Sequence, residues 1–301
     1  MKKILLILAT IIILGIAIIG ICFSNWMKKA EERLAPYKEK AQTVDSSYGK
    51  ISYIDEGEGE VILILHGLFG GYDQGYDSMK SLIGNYRVIA PSRFGYIGSD
   101  CPEDASVTNQ AHALKELLDQ LGVEKVYVVG TSAGGLCALK FGILYPESVK
   151  GIGLYCSGSI PASKPKDNQE VKYYSVPKPF CNDFTIWAIG PIMRKQMSMT
   201  KETWLSVFPV SERAKGVVND GYEANADGEK NYDDYTLENL HVPVLILHAK
   251  DDQMASYEGV AAMAERLPNV EMAIFEQGGH MMTGNDGEVN KKIRDFIEEN
   301  K

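Results

Sequence analysis

A G-x-S-x-G motif that runs from Gly130 to Gly134 narrows the possible folds of this chain more than any other feature. It follows the apolar run Val126–Val129 and precedes a stretch with helical character that continues to Tyr145. A strand, a sharp turn and then a helix are typical of a nucleophile elbow, because small residues beside the serine let the backbone turn tightly and leave its hydroxyl exposed. Ser132 is therefore the candidate nucleophile, and the two glycines support its turn.

A serine hydroxyl is a weak nucleophile near neutral pH, and it requires a neighbouring base that is itself oriented by a carboxylate. The run Val244–His248 predicts a buried strand that ends shortly before Asp251 and Asp252. The run Val270–Phe275 predicts a further strand that leads through a short loop to His280. We predict that Asp252 is the acid, with its neighbour Asp251 as the alternative, and that His280 is the base.

A glycine-rich turn after another strand offers donors for a developing oxyanion. Val61–Leu65 predicts a fully apolar strand, and residues 66–71 read His-Gly-Leu-Phe-Gly-Gly. Backbone N–H groups serve as an oxyanion hole when such a turn aims them at the reacting carbonyl. The predicted donors are the N–H groups of Leu68 and Ala133.

These motifs, in this order, resemble those of the α/β-hydrolase superfamily, and in particular its capped serine esterases and lipases. The resemblance covers roughly residues 45–300. It implies an α/β fold with a mostly parallel eight-stranded sheet flanked by helices, and a triad on loops at the carboxyl ends of the strands. By the same analogy, His66 and Gly67 shape the oxyanion loop and are not triad members.

Two segments depart from the family pattern. Around the acid, Ala249 stands where the family has glycine and Ser256 where it has proline, although Asp252 keeps the family register better than Asp251. The segment 90–100 resembles the family's A-P-D-x-x-G-x-G-x-S-D, but Ser92 replaces the aspartate. We take that segment as an indication of the fold only.

The amino terminus carries a second strong signal. Residues 4–23 are apolar except for Thr10 and two glycines, and twenty helical residues span roughly 30 Å, the thickness of the hydrocarbon layer. No small-x-small cleavage site follows, and Ile21 before Cys22 does not fit a lipobox. The sequence therefore predicts an uncleaved transmembrane anchor over residues 1–26, with Trp26 at the interface.

The orientation of this anchor is less sharply marked. Lys2 and Lys3 resemble the positive end of an export signal, whereas five basic residues follow within the next twenty positions and favour a cytoplasmic carboxyl side. On the signal-like start, we predict a cell-membrane protein with a single N-terminal span and an extracytoplasmic catalytic domain.

Domain boundaries follow from these motifs. A helical juxtamembrane spacer is expected over 27–43, a hydrolase core over 44–157 and 241–301, and a mostly helical cap over 158–240. The cap interval is rich in aromatic residues, among them Tyr173, Tyr174, Phe180, Phe184, Trp187, Trp204 and Phe208. These rings either exclude water from an apolar substrate above Ser132 or form the cap's own small core.

Composition excludes several classes of function. The net charge is −9 and the chain beyond the anchor has no basic cluster, so we predict no nucleic-acid partner. The five cysteines form no C-x-x-C pair and no zinc-type spacing with histidine, so we predict no metal. No cofactor is expected, because a triad and backbone donors suffice for acyl transfer. The sequence leaves the oligomeric state open.

The function that these features favour is a membrane-anchored serine hydrolase that cleaves a small or lipid-like carboxylic ester through an acyl-enzyme. A carbon–carbon bond hydrolase and a proline-iminopeptidase-like peptidase are the alternatives among enzymes. The peptidase is the runner-up and ranks below the esterase, because its relatives usually read H-G-G-P-G where this chain has His66-Gly67-Leu68-Phe69-Gly70. A noncatalytic binding module on the same fold is the alternative that is not an enzyme.

Overall fold

The computed structural model describes residues 2–166, 170, 171, 173 and 176–301. Over these residues, eight strands form a single sheet in the order β1-β2-β4-β3-β5-β6-β7-β8. The strands are β1 (Gln42–Ser46), β2 (Gly49–Glu56), β3 (Glu60–Leu65), β4 (Tyr86–Pro91), β5 (Val126–Thr131), β6 (Val149–Tyr155), β7 (Val244–Ala249) and β8 (Val270–Phe275). Only the pairings of β1 with β2 and of β2 with β4 are antiparallel among them. The predicted α/β-hydrolase architecture is confirmed.

Ten α-helices are present in the described part of the chain. They are α1 (Lys2–Lys40), α2 (Tyr72–Met79), α3 (Val107–Gln120), α4 (Gly134–Leu144), α5 (Asp183–Gln196), α6 (Lys201–Leu205), α7 (Ala214–Tyr222), α8 (Asp227–Lys230), α9 (Tyr257–Ala264) and α10 (Asp286–Glu299). Short 3₁₀ turns connect several of them, including Val210–Glu212 before α7 and Gly279–Met281 before α10.

The central strands are buried on both faces, which explains their continuous apolar runs. Every residue of β7 is buried, as are the last four of β3 and the first five of β5. Helices α3, α4 and α9 cover one face of the sheet, and α2 and α10 cover the other. In this sheet Leu65 pairs with Gly130, so the turns that follow β3 and β5 lie side by side.

The N-terminal helix α1 is continuous over 39 residues and has two different halves. In the first half the large apolar side chains are exposed, for example Leu5 at 62% and Ile13 at 65%. Among the described residues, α1 is the one helix long and apolar enough to cross a membrane. In the second half, by contrast, Ala30 and Leu34 are completely buried.

One face of the second half of α1 packs on the folded domain. The ring of Phe23 lies 5.4 Å from that of Phe184 on α5, and the ring of Trp26 lies 5.7 Å from that of Phe208. Leu34 belongs to the apolar cluster that α2 and α10 form with the sheet. The segment expected to be a juxtamembrane spacer is therefore helical to Lys40 but is attached to the domain, and its last residues begin β1 at Gln42.

Between β6 and β7 the chain forms α5 to α8 and several 3₁₀ turns, in the interval where a helical cap was expected. The aromatic residues named above take different positions. Trp204 and Phe208 are buried with Val210 and Val217 in a core that the cap shares with α1. Phe180 and Phe184 are about half exposed. Tyr174 lies outside the described residues.

Candidate active site

The nucleophile motif forms a tight turn between β5 and α4. Ser132 has φ = 50°, in the left-handed region that a residue with a side chain rarely adopts. A Cβ atom on Gly134 would lie 2.3 Å from the carbonyl oxygen of Leu65. One on Gly130 would lie 2.7 Å from the carbonyl oxygen of Gly134. The two small residues therefore allow the close approach that the strained turn at Ser132 requires.

The three residues proposed from sequence as a triad lie in a hydrogen-bonded line. Ser132 Oγ is 2.9 Å from His280 Nε2, and His280 Nδ1 is 2.8 Å from Asp252 Oδ2. Asp252 and His280 are 8% and 5% exposed, respectively. They come from the loops that follow β7 and β8, which are neighbouring parallel strands whose carboxyl ends meet at one edge of the sheet.

Asp252 is held in place and kept ionised. Its Oδ1 accepts hydrogen bonds from the N–H groups of Met254 at 2.8 Å and Ala255 at 3.1 Å. Burial alone would raise the pKa of this carboxyl, but the hydrogen bond and charge of His280, together with the two N–H groups, lower it below its usual value. The carboxylate form can therefore accept the Nδ1–H of His280 and leave Nε2 free to accept a proton.

The neighbouring Asp251 has a different set of contacts. Its carboxylate accepts the N–H groups of Gly278 at 3.2 Å and Gly279 at 2.8 Å. These glycines immediately precede His280, so Asp251 fixes the loop that presents the imidazole. Of the two candidates for the acid, Asp252 is the one hydrogen-bonded to His280.

His248 also lies near the acid, but in a structural position. Its Nε2–H donates to the carbonyl oxygen of Ala255 at 3.0 Å and is 3.7 Å from Asp252 Oδ2. Burial lowers the pKa of His248, which favours the neutral ring. His248 therefore supports the loop that carries Asp252.

The turn after β3 lies directly against the nucleophile. A Cβ atom on Gly67 would be 3.1 Å from Ser132 Cβ and 3.2 Å from the carbonyl oxygen of Thr131. Within the described part of the chain, no hydrogen bond is formed by the N–H of Leu68 or of Ala133. Two free donors beside a serine hydroxyl have the character of an oxyanion hole.

His66 stabilises the turn after β3 through contacts of both of its ring nitrogens. Its Nδ1 is 2.8 Å from the carbonyl oxygen of Gly67, and its Nε2 accepts the backbone N–H of Arg93 at 3.0 Å. These contacts require the neutral ring with the proton on Nδ1. Burial lowers the pKa of His66 well below its usual value, and the charge of Arg93 lowers it further.

Arg93 is a further residue at the site that our sequence interpretation did not include. Its side chain is 2% exposed; Nε donates to the carbonyl oxygen of His66 at 2.9 Å, and Nη1 donates to Asp220 at 2.6 Å. Asp220 lies on the cap helix α7 and also accepts the hydroxyl of Tyr96. Arg93, through its buried ion pair with Asp220, therefore joins the turn after β3 to α7.

Comparison with known proteins places this architecture in a family. A family model described as the alpha/beta hydrolase fold matches residues 60–284. The chain belongs to the α/β-hydrolase fold family. This α/β-hydrolase is 24% identical over 265 residues to the 2-hydroxy-6-oxo-6-phenylhexa-2,4-dienoate hydrolase of Burkholderia cepacia, an alignment that covers 82% of this chain and 91% of the relative.

Solved structures show the same fold in esterases. An esterase from Rhodococcus sp. ECU1013 superposes with a TM-score of 0.68 at 21% identity, and the alignment covers 87% of this α/β-hydrolase and 100% of the esterase. A membrane phospholipase A described as a bacterial virulence factor superposes with a TM-score of 0.66 at 19% identity. That alignment covers 99% of this chain and 98% of the phospholipase, and so it includes α1.

A cavity of about 440 Å³ lies beside the triad of this α/β-hydrolase, between α2, α6 and α10. Thr131 and Met281, the chain neighbours of Ser132 and His280, contribute to its wall. Most of its other described lining residues are polar or charged, for example Gln74, Ser78, Glu202, Thr203, Ser206, Asp286 and Asn290. The described lining residues include none of the aromatic residues named for the interval 158–240.

One group of described residues in this α/β-hydrolase has the atoms of a metal site. Ligand atoms of Cys156, Asp252 and His280 lie within 4.8 Å of one another. Burial, with a contribution from the charge of Asp252, raises the pKa of Cys156 well above its usual value, whereas metal binding requires the thiolate. Asp252 and His280 are hydrogen-bonded to each other. The group fits a triad with a neutral thiol beside it better than it fits a metal centre.

Proposed function

We propose that this α/β-hydrolase is a membrane-anchored serine hydrolase that cleaves a small or lipid-like carboxylic ester through an acyl-enzyme intermediate. The observation that carries the proposal is the line from Ser132 Oγ to His280 to Asp252, with hydrogen bonds of 2.9 and 2.8 Å. This line starts at a strained turn beside two free backbone donors. All the parts needed for nucleophilic acyl transfer meet at one point.

In the first half of the proposed reaction, Ser132 Oγ attacks the ester carbonyl carbon while His280 Nε2 takes the hydroxyl proton. The carbonyl oxygen becomes an oxyanion that accepts the N–H groups of Leu68 and Ala133. Asp252 stabilises the imidazolium that forms. The tetrahedral intermediate then collapses, the bond to the alcohol oxygen breaks, and His280 gives its proton to the departing alcohol.

In the second half, water attacks the carbonyl carbon of the acyl group on Ser132. His280 takes a proton from this water, the same two N–H groups hold the second oxyanion, and the ester bond to Ser132 breaks. The proton returns from His280 to Ser132 Oγ, and the carboxylic acid leaves. The cycle consumes one water molecule for each ester and requires no cofactor.

The wall of the cavity combines polar groups with a larger apolar surface, which suits a substrate with an apolar acyl chain and an alcohol portion that carries hydroxyl groups. Its wall provides hydroxyl and amide side chains, which can exchange hydrogen bonds with a glycerol-like group. The apolar half of α1 would keep the domain at a bilayer, where esters such as monoacylglycerols and lysolipids reside. The name of the structural neighbour, a membrane phospholipase A whose alignment includes α1, supports the same direction.

For the orientation, we keep the proposal of an extracytoplasmic domain. Protease added to intact cells should then degrade the domain. A domain that resists protease in intact cells but is cut in lysed cells would place it in the cytoplasm instead.

The direct test uses the full chain in detergent with p-nitrophenyl esters from acetate to palmitate. Ser132→Ala should lower turnover by at least about 10³-fold and abolish labelling by a fluorophosphonate. Ser148→Ala is the matched control, because Ser148 is a serine at the opposite end of the sheet, before β6. Equal activity of the two variants would contradict the serine mechanism.

A carbon–carbon bond hydrolase is the second candidate, and the names of the curated relatives favour it. The dienoate in those names carries a carboxylate, and arginine is a frequent partner of carboxylates in binding sites. Among the described residues that line the cavity, the one basic residue is Arg33, and its guanidinium already binds Asp73 and Asp77. We therefore rank this activity second; turnover of 2-hydroxy-6-oxo-6-phenylhexa-2,4-dienoate above that of every ester would reverse the ranking.

A further inference from the structure

The oxyanion turn is held by a buried side chain that comes from the cap. Arg213, which directly precedes α7, is completely buried. Its Nη1 donates to the carbonyl oxygen of Gly70 at 2.5 Å and to Asp73 Oδ1 at 3.0 Å, and its Nη2 donates to Asp73 Oδ2 at 3.0 Å. Gly70 in turn closes the turn by donating its N–H to the carbonyl oxygen of Gly67 at 3.1 Å. Leu68, the proposed oxyanion donor, lies inside this closed turn.

Asp73 is shared between two arginines from different parts of the molecule. It lies in the first turn of α2 and is completely buried. Besides Arg213, it accepts Arg33 Nη1 on Oδ2 at 2.6 Å. Burial alone would raise the pKa of Asp73, but the charges and hydrogen bonds of Arg213 and Arg33 lower it. The carboxylate of Asp73 is therefore ionised, and it is attracted to both Arg213 and Arg33.

Arg33 belongs to α1, the helix that carries the apolar N-terminal segment. Its second nitrogen, Nη2, donates to Asp77 at 2.7 Å, and Asp77 also accepts the hydroxyl of Tyr37 at 2.5 Å. Arg33 thus bridges two carboxylates one helical turn apart on α2. This bridge fixes the side chain of Arg33 relative to α2 and thereby fixes Asp73.

We propose that Arg33, Asp73 and Arg213 are positioning residues for the oxyanion turn, so that the N-terminal helix contributes to the geometry of the active site. This inference rests on the proposed hydrolase function. The physical reason is a competition for Arg213 Nη1, which binds both the carbonyl of Gly70 and the carboxylate of Asp73. When Arg33 no longer holds Asp73, the carboxylate draws Arg213 towards itself, and the carbonyl of Gly70 loses its donor.

A small movement of the turn matters, because an oxyanion donor must lie about 2.7–3.1 Å from the charged oxygen of the transition state. A displaced donor should therefore slow the chemical step. For Arg33→Gln, we expect kcat on a soluble p-nitrophenyl ester to fall roughly tenfold. KM is no measure of positioning in this variant, because Arg33 also lines the cavity.

A matched control is available in Arg87. Its guanidinium forms a bidentate ion pair with Asp55 at 2.8 and 2.6 Å, its side chain is 28% exposed against 18% for Arg33, and the pair joins β2 and β4 without reaching the turn. Arg87→Gln should lower the unfolding temperature about as much as Arg33→Gln does, but it should leave kcat unchanged.

The experiment measures both variants in the full chain in detergent, with three readouts. The first is kcat and KM. The second is the affinity for an alkyl trifluoromethyl ketone, whose adduct with Ser132 places an oxyanion in the hole; it should fall with kcat in Arg33→Gln only. The third is amide hydrogen exchange of residues 66–71, which should be faster in Arg33→Gln only. Arg33→Lys, which keeps the charge but not the bridge, should give intermediate values.

The inference is overturned if Arg33→Gln lowers the unfolding temperature as the control does but leaves kcat, ketone affinity and exchange of the turn unchanged. An unmodified chain that hydrolyses no ester and binds no ketone would instead refute the proposed function. In that case, hydrogen exchange of residues 66–71 still decides whether Arg33 sets the turn, because that measurement needs no activity.

Discussion

The two neighbouring aspartates allow a sharp test of the proposed mechanism. In Asp252→Asn, the new amide oxygen can keep the N–H groups of Met254 and Ala255, which now bind Oδ1 at 2.8 and 3.1 Å. The amide nitrogen must then face His280 Nδ1, where the carboxylate now accepts a proton at 2.8 Å. An N–H directed at Nδ1 forces the imidazole proton onto Nε2, the atom that faces Ser132.

An imidazole with its proton on Nε2 cannot accept the proton of Ser132. Loss of the correct tautomer lowers kcat by about 10⁴-fold in the serine-protease triad, which corresponds to about 5 kcal/mol of transition-state stabilisation. We expect a fall of that order for Asp252→Asn. In Asp251→Asn, the amide oxygen can still accept the N–H of Gly279, so the loop before His280 loosens but the tautomer does not change. That variant should lose less than about tenfold.

The assay is initial-rate hydrolysis of p-nitrophenyl butyrate by the full chain in detergent, with thermal unfolding of each variant to verify folding. Both variants should label with a fluorophosphonate, and Asp252→Asn should label far more slowly. The reasoning is refuted if Asp251→Asn is the more damaging substitution, or if Asp252→Asn keeps more than about a tenth of the unmodified kcat.

Three further expectations concern stability and labelling of the site. In the folded protein the pKa of Asp73 lies below its usual value of 3.8. Its ionised form therefore stabilises the fold above that pH, and this contribution is lost as the pH falls through the folded pKa. Asp73→Asn should lower the unfolding temperature at neutral pH and make the unfolding temperature decline less steeply in acid. Gly135→Ala would put a Cβ atom 1.8 Å from Ser157 Oγ, so it should abolish fluorophosphonate labelling, and adding Ser157→Gly should restore part of it. Leu34→Ala should cost about 2–5 kcal/mol of unfolding free energy, whereas Leu14→Ala, at a residue 57% exposed, should leave domain unfolding unchanged.

Local patterns in the sequence were sufficient for most of the sheet and for the line of Ser132, His280 and Asp252. Each of these residues follows an apolar run that forms a strand, and parallel strands bring their carboxyl ends to the same edge. The choice between Asp251 and Asp252 was only a preference from the sequence, because a one-residue difference after a strand depends on the exact loop conformation.

The buried charges could not be predicted in this way. Arg93 and Asp220 are 127 positions apart, and Arg213 and Asp73 are 140 positions apart. No local sequence pattern links Arg93 to Asp220 or Arg213 to Asp73 over such distances along the chain. Their pairing is a property of how the cap lies on the core, which requires the three-dimensional structure.

For the second half of α1, the sequence does contain a pattern that indicates packing on the domain. Phe23, Trp26, Ala30, Leu34 and Tyr37 recur at intervals of three or four residues, which is the spacing of an amphipathic helix. The many charged residues between them suggested a solvated spacer. The charged residues instead face solvent or pair with the domain, while the apolar stripe is packed on it.

Helix α1 runs without a break from the apolar segment into the folded domain, so it holds the domain at a fixed distance from that segment. Arg33 lies ten positions after Phe23. At 1.5 Å per residue, this places Arg33 roughly 15 Å along the helix axis from the end of the apolar segment. Since α1 is continuous from the apolar segment to Lys40, its tilt would set both the distance and the angle between Ser132 and a bilayer surface.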